Sequence, residues 1–311
     1  MGQTLSEPVT VKETSTASNH FVKVGASSMQ GWRINMEDAH TMILSIDGEN
    51  ASFFAVYDGH GGAKVARYAG EHLHRKLTNQ PTYKTGNIHL AIRESFLNLD
   101  EDMLKDETMK DEPAGTTALV AVLKNNKVYC GNVGDSRCVM SICGHAKPLS
   151  FDHKPGNENE SRRIIAAGGW VEFDRVNGNL ALSRALGDFV FKRNTRKPPE
   201  EQIVTAVPDV TETEINSDCE FLLLACDGIW DVLTNQEVVD FVRTRIANKM
   251  DEGQICEELM NRCLAPDCSM GGLGCDNMTV VLVSLLQGKS YDELSAKCAK
   301  PKSDKCPFEM E

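Results

Sequence analysis

The chain has no C-x-x-C pair, although it contains eleven cysteines, an odd number scattered from Cys130 to Cys306. That lack removes the zinc-knuckle and dithiol redox motifs, and the cysteines read as reduced thiols of a cytosolic protein. Cys263, Cys268 and Cys275 stand near one another, but no histidine lies close by and their spacing fits no standard zinc site. No basic, apolar leader opens the sequence, and the longest apolar runs, Phe221 to Cys226 and Thr279 to Leu286, have strand length. Neither secretion nor a membrane span is expected. Excess positive charge is missing as well: the formal net charge of −12 opposes nucleic acid and anionic lipid as broad partners. No Pro- or Gly-rich linker and no repeat of fixed period divides the 311 residues, so one catalytic-sized domain is expected.

What is present begins with Met1-Gly2-Gln3-Thr4-Leu5-Ser6, which matches the N-myristoylation pattern at Gly2. The alternative is a flexible tail that happens to start this way, and a single acyl chain would anchor only weakly and reversibly. Residues 1–20 are rich in Ser, Thr and Glu without apolar periodicity and read as a flexible tail, as does the polar, Lys-rich stretch 288–311. Location is expected to be cytoplasmic, with the nucleus or the membrane surface as alternatives, and nothing demands more than a monomer.

Strand-like runs occur at Ser52 to Tyr57, Thr117 to Leu123, Lys127 to Val133, Arg137 to Ile142, Phe221 to Ala225 and Thr279 to Leu285. Asn125-Asn126 and Asn177-Gly178 suit tight hairpin turns, which favours antiparallel pairing. Val65, Ala69, Leu73 and Leu77 draw one amphipathic helical stripe, and Ile88, Ile92, Phe96, Leu99 and Met103 a second. Thr234 and Glu237 have capping-box spacing ahead of Val238, Val239, Val242 and Ile246, predicting a third helix. Strands and helices come in blocks, which argues an α+β fold.

Three apolar runs finish at an aspartate, namely Asp58, Asp135 and Asp227, and Asp276 stands immediately before a fourth. Singly, each reads first as a turn former. Together, carboxylates meeting at neighbouring strand ends would repel unless cations held them. Oxygen ligands favour Mg²⁺ or Mn²⁺ over zinc, and two adjacent cations suit phosphoryl chemistry.

Met29-Gln30-Gly31-Trp32-Arg33-Ile34-Asn35-Met36-Glu37-Asp38 and Asp58-Gly59-His60-Gly61-Gly62 resemble the opening motifs of type 2C (PPM) protein phosphatases. Gly115-Thr116-Thr117-Ala118, Gly134-Asp135-Ser136-Arg137, Ser183-Arg184-Ala185-Leu186-Gly187-Asp188, Asp227-Gly228-Ile229-Trp230-Asp231 and Asp276-Asn277-Met278-Thr279 resemble the later ones, in the family's order. The resemblance runs from about Phe21 to Leu286, giving a catalytic domain over 21–287. It implies an α+β sandwich of two antiparallel sheets flanked by antiparallel helices, with a metal cleft at one edge.

By the same resemblance Asp58 bridges two Mg²⁺ or Mn²⁺ ions, Glu37 and the Gly59 carbonyl hold one, and Asp227 and Asp276 the other. Arg33 matches a phosphate-binding arginine, for which a guanidinium fork is suited, and His60 a general acid. A surface ion pair for Arg33 and a structural, carboxylate-bonded role for His60 are the alternatives. Asp135 and Asp231 match a weaker third metal site, Asp38 and Thr117 positions that support the ligands, and Arg184 a substrate-binding, cleft-organising one. Residues 153–192 would be a flap beside the cleft.

The function expected is hydrolysis of phosphoserine and phosphothreonine in signalling proteins by attack of a metal-held water. The alternative is a phosphoprotein-binding module of the same fold that no longer turns its ligand over. A cysteine-nucleophile phosphatase is disfavoured, because no His-Cys segment leads to an arginine five residues later.

Overall fold

The computed structural model describes residues 4–48, 51–269 and 271–302. Its main strands are β1 (Thr4–Ser18), β2 (Val22–Arg33), β3 (Ala39–Ile43), β4 (Ser52–Tyr57), β5 (Ala118–Lys124), β6 (Lys127–Val133), β7 (Arg137–Ile142), β8 (His145–Pro148), β9 (Asp209–Glu214), β10 (Cys219–Ala225) and β11 (Met278–Leu285). Two antiparallel sheets result, ordered β1-β2-β11-β10-β7-β8 and β9-β6-β5-β4-β3.

The central strands are apolar on both faces because both faces are covered. In β4, Phe53, Ala55 and Tyr57 point to the helices, whereas Phe54 and Val56 fill the space between the sheets. In β11, Val281 and Val283 enter the intersheet core while Val280 and Leu282 face outward to helices. This period of two builds three stacked apolar layers from two sheets.

The outer layers are helical. Helices α1 (Lys64–Asn79) and α2 (Ile88–Lys105) lay the predicted stripes on one sheet, burying Leu73, Leu77, Ile92 and Phe96. The helix α3 (Glu158–Ala166) belongs to the flap, while α4 (Asn235–Ala247), α5 (Glu252–Cys263) and α6 (Tyr291–Cys298) cover the other sheet. The Thr234–Glu237 capping box is formed at the start of α4. Asn125 and Asn126, at φ 54° and 57°, make the tight turn between β5 and β6 that the left-handed tolerance of asparagine permits. The whole is the expected helix-sheet-sheet-helix sandwich of the α+β class.

Three expectations are corrected. Residues 4–18 are not a flexible tail: β1 pairs along β2, with Thr14 opposite Ser27 and Ala17 opposite Val24. Its side chains are mostly exposed, so it shows no apolar alternation, but its β-branched Thr and Val residues suit an edge strand. Gly2, the expected acylation point, lies outside the described residues. The stretch after Gly288 is likewise not all tail: Ser290 and Glu293 form a capping box, and α6 buries Leu294 and Cys298 against the α4 layer. Nor are all cysteines reduced, because Cys268 and Cys275 form a disulfide.

Helix α5 lies so close to β2 that a Cβ at Gly25 would overlap the peptide joining Glu252 to Gly253. Gly25→Ala should therefore lower the unfolding free energy by about 1–3 kcal/mol. Urea denaturation checks this as an earlier midpoint at unchanged slope; an unaltered midpoint would contradict the close packing.

Candidate metal centre

Strand ends deliver the acidic residues to one edge of the sandwich. Strand β4 ends at Asp58, β10 leads through Cys226 to Asp227 at the head of a single helical turn, and Asp276 stands just ahead of β11. Strand β2 ends at Arg33, and Glu37 follows on the link to β3. Arg33, Glu37, Asp58, Gly59, His60, Asp135, Asp227 and Asp276 all line one cleft of about 930 Å³. Three residues of the expected set, Asp38, Asp231 and Arg184, are not among its lining residues.

A hydrogen-bonded scaffold fixes these positions. The Asp58 backbone N–H donates to Thr117 Oγ1 at 3.0 Å, and Thr117 N–H returns a bond to the Asp58 carbonyl at 2.9 Å. Thr279 Oγ1 donates to Asp38 Oδ2 at 2.7 Å. Asn277 spans the cleft floor: its Oδ1 accepts from Glu37 N–H at 3.0 Å, while Nδ2 donates to the carbonyls of Gln30 and Asn35 at 2.7 and 3.0 Å. Gly59 is required where it is, because a Cβ there would overlap the Glu37 carbonyl.

The acidic groups disturb one another strongly. Withdrawal from water raises the Asp58 carboxyl well above its ordinary range, and the charges of Asp227, Asp38 and Asp276 raise it further. Asp227 is raised for the same reasons, first by burial and then by Asp135, Asp276 and Asp231. Burial likewise lifts Asp38 to about 7. Asp227 Oδ1 is buried and accepts no hydrogen bond among the described residues. Asp38, Asp58 and Cys226 present ligand atoms within 4.8 Å of one another. An orphaned carboxylate oxygen amid mutually repelling acids is a donor set suited to hard divalent cations.

Basic partners offset part of this charge. Arg33 Nη2 donates to Asp276 Oδ2, and Lys154 Nζ donates to Asp135 Oδ2. His60 Nε2 lies 2.7 Å from Asp188 Oδ2. Burial alone would lower the His60 pKa, but the charge and hydrogen bond of Asp188, backed by Asp135 and Glu37, outweigh it and raise it. Gly59–His60, Gly115–Thr116 and Leu186–Gly187 pair as a small sheet that brings His60 to Asp188. Gly115 has no room for a side chain, since a Cβ there would stand 2.6 Å from His60 Nε2.

Arg184 requires a correction. Its guanidinium is only 14% exposed and donates to Glu160 at 2.7 Å and to Asp209 at 2.7 Å, so it ties the flap to β9 and does not enter the cleft. Burial pushes Glu160 up, but Arg184 and Arg163 outweigh it and hold the carboxyl down at about 2. The flap reaches the cleft instead through Arg175 and Leu180 to Leu182. Asp231 caps the turn after Asp227, its N–H bonding the Asp227 carbonyl at 2.9 Å, and its carboxyl contributes charge from outside the lining. Sequence reasoning assigned no role to Asp188, Lys154 or Asn277. Asp188 and Asn277 stand in quoted motifs and Lys154 in the flap, but the partner of each is remote in sequence.

Comparison with known proteins agrees with this geometry. The Protein phosphatase 2C family profile matches residues 22–270. A probable protein phosphatase 2C of Caenorhabditis elegans is 64% identical over 302 residues, covering 97% of this chain and 85% of that protein. Protein phosphatase 2C homolog 3 of Schizosaccharomyces pombe is 55% identical, covering 92% of this chain and 70% of its own length. Among solved structures, a phosphatase from a pathogenic strain of Toxoplasma gondii superposes with a TM-score of 0.76 at 29% identity, covering 88% of this chain and 96% of that one.

The raised carboxylates predict how the cation-free fold responds to pH. Their stabilising contribution is complete below their ordinary value of 3.8 and is lost as pH climbs through about 7 at Asp38 and beyond at Asp58 and Asp227. In chelator, the wild-type Tm should therefore fall between pH 6 and pH 8, and Asp58→Asn should recover part of that loss by removing one repelling charge. Added Mn²⁺ should raise the wild-type Tm by several degrees and that of the variant much less. Scanning fluorimetry that finds the chelated variant no more stable than chelated wild type at pH 8 would refute the repulsion.

Proposed function

The chain belongs to the protein phosphatase 2C family, and we infer from that premise how its own residues hydrolyse phosphoserine and phosphothreonine in proteins. The enzyme is a metal-dependent protein serine/threonine phosphatase using Mg²⁺ or Mn²⁺. The observation that supports this reading best is the convergence of Glu37, Asp58, Asp227 and Asp276 in one cleft beside Arg33 and His60.

We propose that two ions are held, with Asp58 shared between them, Glu37 and the Gly59 carbonyl completing one site, and Asp227 and Asp276 the other. Asp135 and Asp231 would serve a weaker third. When bound, such a pair readies a water for attack at neutral pH and offsets the charge of the phosphate. The residues supply the rest. Arg33, paired with Asp276 and half-exposed, is placed to turn its fork onto two phosphoryl oxygens. His60 meets Asp188 through Nε2, and that contact orients the ring so that Nδ1 is the nitrogen left to deliver a proton to the departing serine or threonine oxygen. Thr117 holds the Asp58 backbone, and Asp38 supports the carboxylate group from its buried side.

For the chain's start we propose myristoylation at Gly2, with weak, reversible membrane association of an otherwise cytoplasmic monomer. Labelling in cells with an alkynyl myristate should tag the wild type and leave Gly2→Ala untagged.

Phosphate release from a phosphothreonine peptide should require Mn²⁺ or Mg²⁺, and Asp58→Ala or Asp227→Ala should reduce kcat by about 10³ or more, a loss of about 4 kcal/mol in transition-state stabilisation. Turnover that survives full chelation would sink the proposal. His60→Ala should slow the peptide by about 10² or more, yet affect an activated aryl phosphate far less, because that group departs without a proton. Equal losses on both substrates would remove the proton-donor role.

A further inference from the structure

Of the ten cysteines within the described residues, only Cys268 and Cys275 are joined. The other eight are free, and burial pushes Cys263 and Cys298, for example, up to about 12, which keeps them as unreactive thiols. The bridge is therefore selective, and its position gives it a consequence.

Both sulfurs are buried, at 3% and 8% exposure, in a small cluster with Trp32. Cys275 immediately precedes Asp276, and Trp32 immediately precedes Arg33, the pair that meet across the cleft. Ala265 ties the same two segments together: its N–H donates to the Gly274 carbonyl at 2.9 Å, and its carbonyl accepts from Trp32 Nε1 at 2.9 Å. Gly31, at φ +65°, sits so near that a Cβ would stand 2.7 Å from the Asp276 carbonyl. Asn277 Nδ2 then donates to the Gln30 carbonyl at 2.7 Å. The loop closed by the disulfide thus ends on the backbone of Asp276 and is braced against the turn that carries Arg33. Ser269 and Leu273, of the same loop, are exposed.

We propose that Cys268 and Cys275 form a redox-modified site which sets how firmly the Asp276 end of the cleft holds a divalent cation. The bridge holds the loop, and so Asp276, in the ligating position; opening it frees the loop between the two cysteines and lowers cation affinity. This rests on the reading of Asp276 as a metal ligand. The oxidant is a hydroperoxide or a small disulfide. With a hydroperoxide, one thiolate attacks the O–O bond and becomes a sulfenic acid as the other oxygen leaves with a proton; the second thiol then displaces water to form the S–S bond. With a small disulfide, two exchange steps pass the two electrons and two protons to the reagent, which leaves as two thiols. Reduction by a dithiol reverses the exchange through a mixed disulfide.

The test uses the full chain, once reduced with dithiothreitol and freed of it, and once equilibrated with glutathione disulfide. Differential alkylation and peptide mass spectrometry locate the bridge, electron paramagnetic resonance of free Mn²⁺ gives the affinity, and phosphopeptide turnover is followed against Mn²⁺. The oxidised sample should show Cys268 linked to Cys275, and the reduced one should need about tenfold more Mn²⁺ for half-saturation. Cys268→Ser should show the reduced value under both conditions, and Cys143→Ser should behave as wild type. Failure to find the Cys268–Cys275 link, or bridged and reduced wild type binding Mn²⁺ within about twofold of each other, would overturn the proposal while leaving Mn²⁺-dependent turnover intact. Absence of such turnover in both states would overturn the metal-ligand reading, and this proposal with it.

Discussion

The repulsion among carboxylates gathered at one edge of the sandwich is the constraint on which the rest depends. Asp58, Asp227 and Asp276 arrive from separate strands whose apolar cores leave no alternative packing, so the charges cannot move apart without unmaking the sheets. The Asp227 oxygen that finds no donor among the described residues suits a cation ligand. Basic groups beside the carboxylates act in counterpoint: Arg33 on Asp276, Lys154 on Asp135 and His60 on Asp188. An acidic protein handles an anionic substrate because its cleft concentrates positive charge that the carboxylates themselves hold in place.

Rigid placement comes from elements that look incidental in the chain. The small sheet joining Gly59–His60 to Gly115–Thr116 and Leu186–Gly187 has strands of two residues, yet it brings His60 within 2.7 Å of Asp188. Asn277, beside a ligand and bonded to three backbone groups, joins β2, the Glu37 link and β11 into one floor. The flap is fastened differently, through the Glu160–Arg184–Asp209 ion-pair chain, while its Arg175 lines the cleft.

Legibility in the sequence follows burial. Ser52–Tyr57, Lys127–Val133 and Arg137–Ile142 could be bounded to the residue because nearly every side chain in them is buried, so the apolar run and the strand coincide. Helices with one buried face, such as Lys64–Asn79, were visible through their period. Thr4–Ser18 escaped notice because an edge strand is held by its backbone ladder and leaves its side chains in water. Strand β2 was missed for a related reason, since Gly25, Ser27, Ser28 and Gly31 dilute its apolar signal. Within the cleft, carboxylates at strand ends could be named from pattern and resemblance, but a partner chosen by folding could not. Arg184 was expected to bind substrate and organise the cleft, but Glu160 and Asp209, distant in sequence, hold its guanidinium. Asp188 had the converse fate: it lay in a recognised segment with nothing to show that it faces His60.

The pairing of Thr4 with Arg33 has a practical corollary for anyone handling the protein. An affinity tag, fluorophore or surface linker fused ahead of Thr4 begins its path opposite the arginine assigned to phosphate, where it can crowd incoming phosphoproteins. The last helix instead rests near Ser217 and Cys219, at the far end of the strand that leads to Asp227. A probe or anchor carried on that helix therefore sits at the opposite end of the strand from Asp227, away from the working edge.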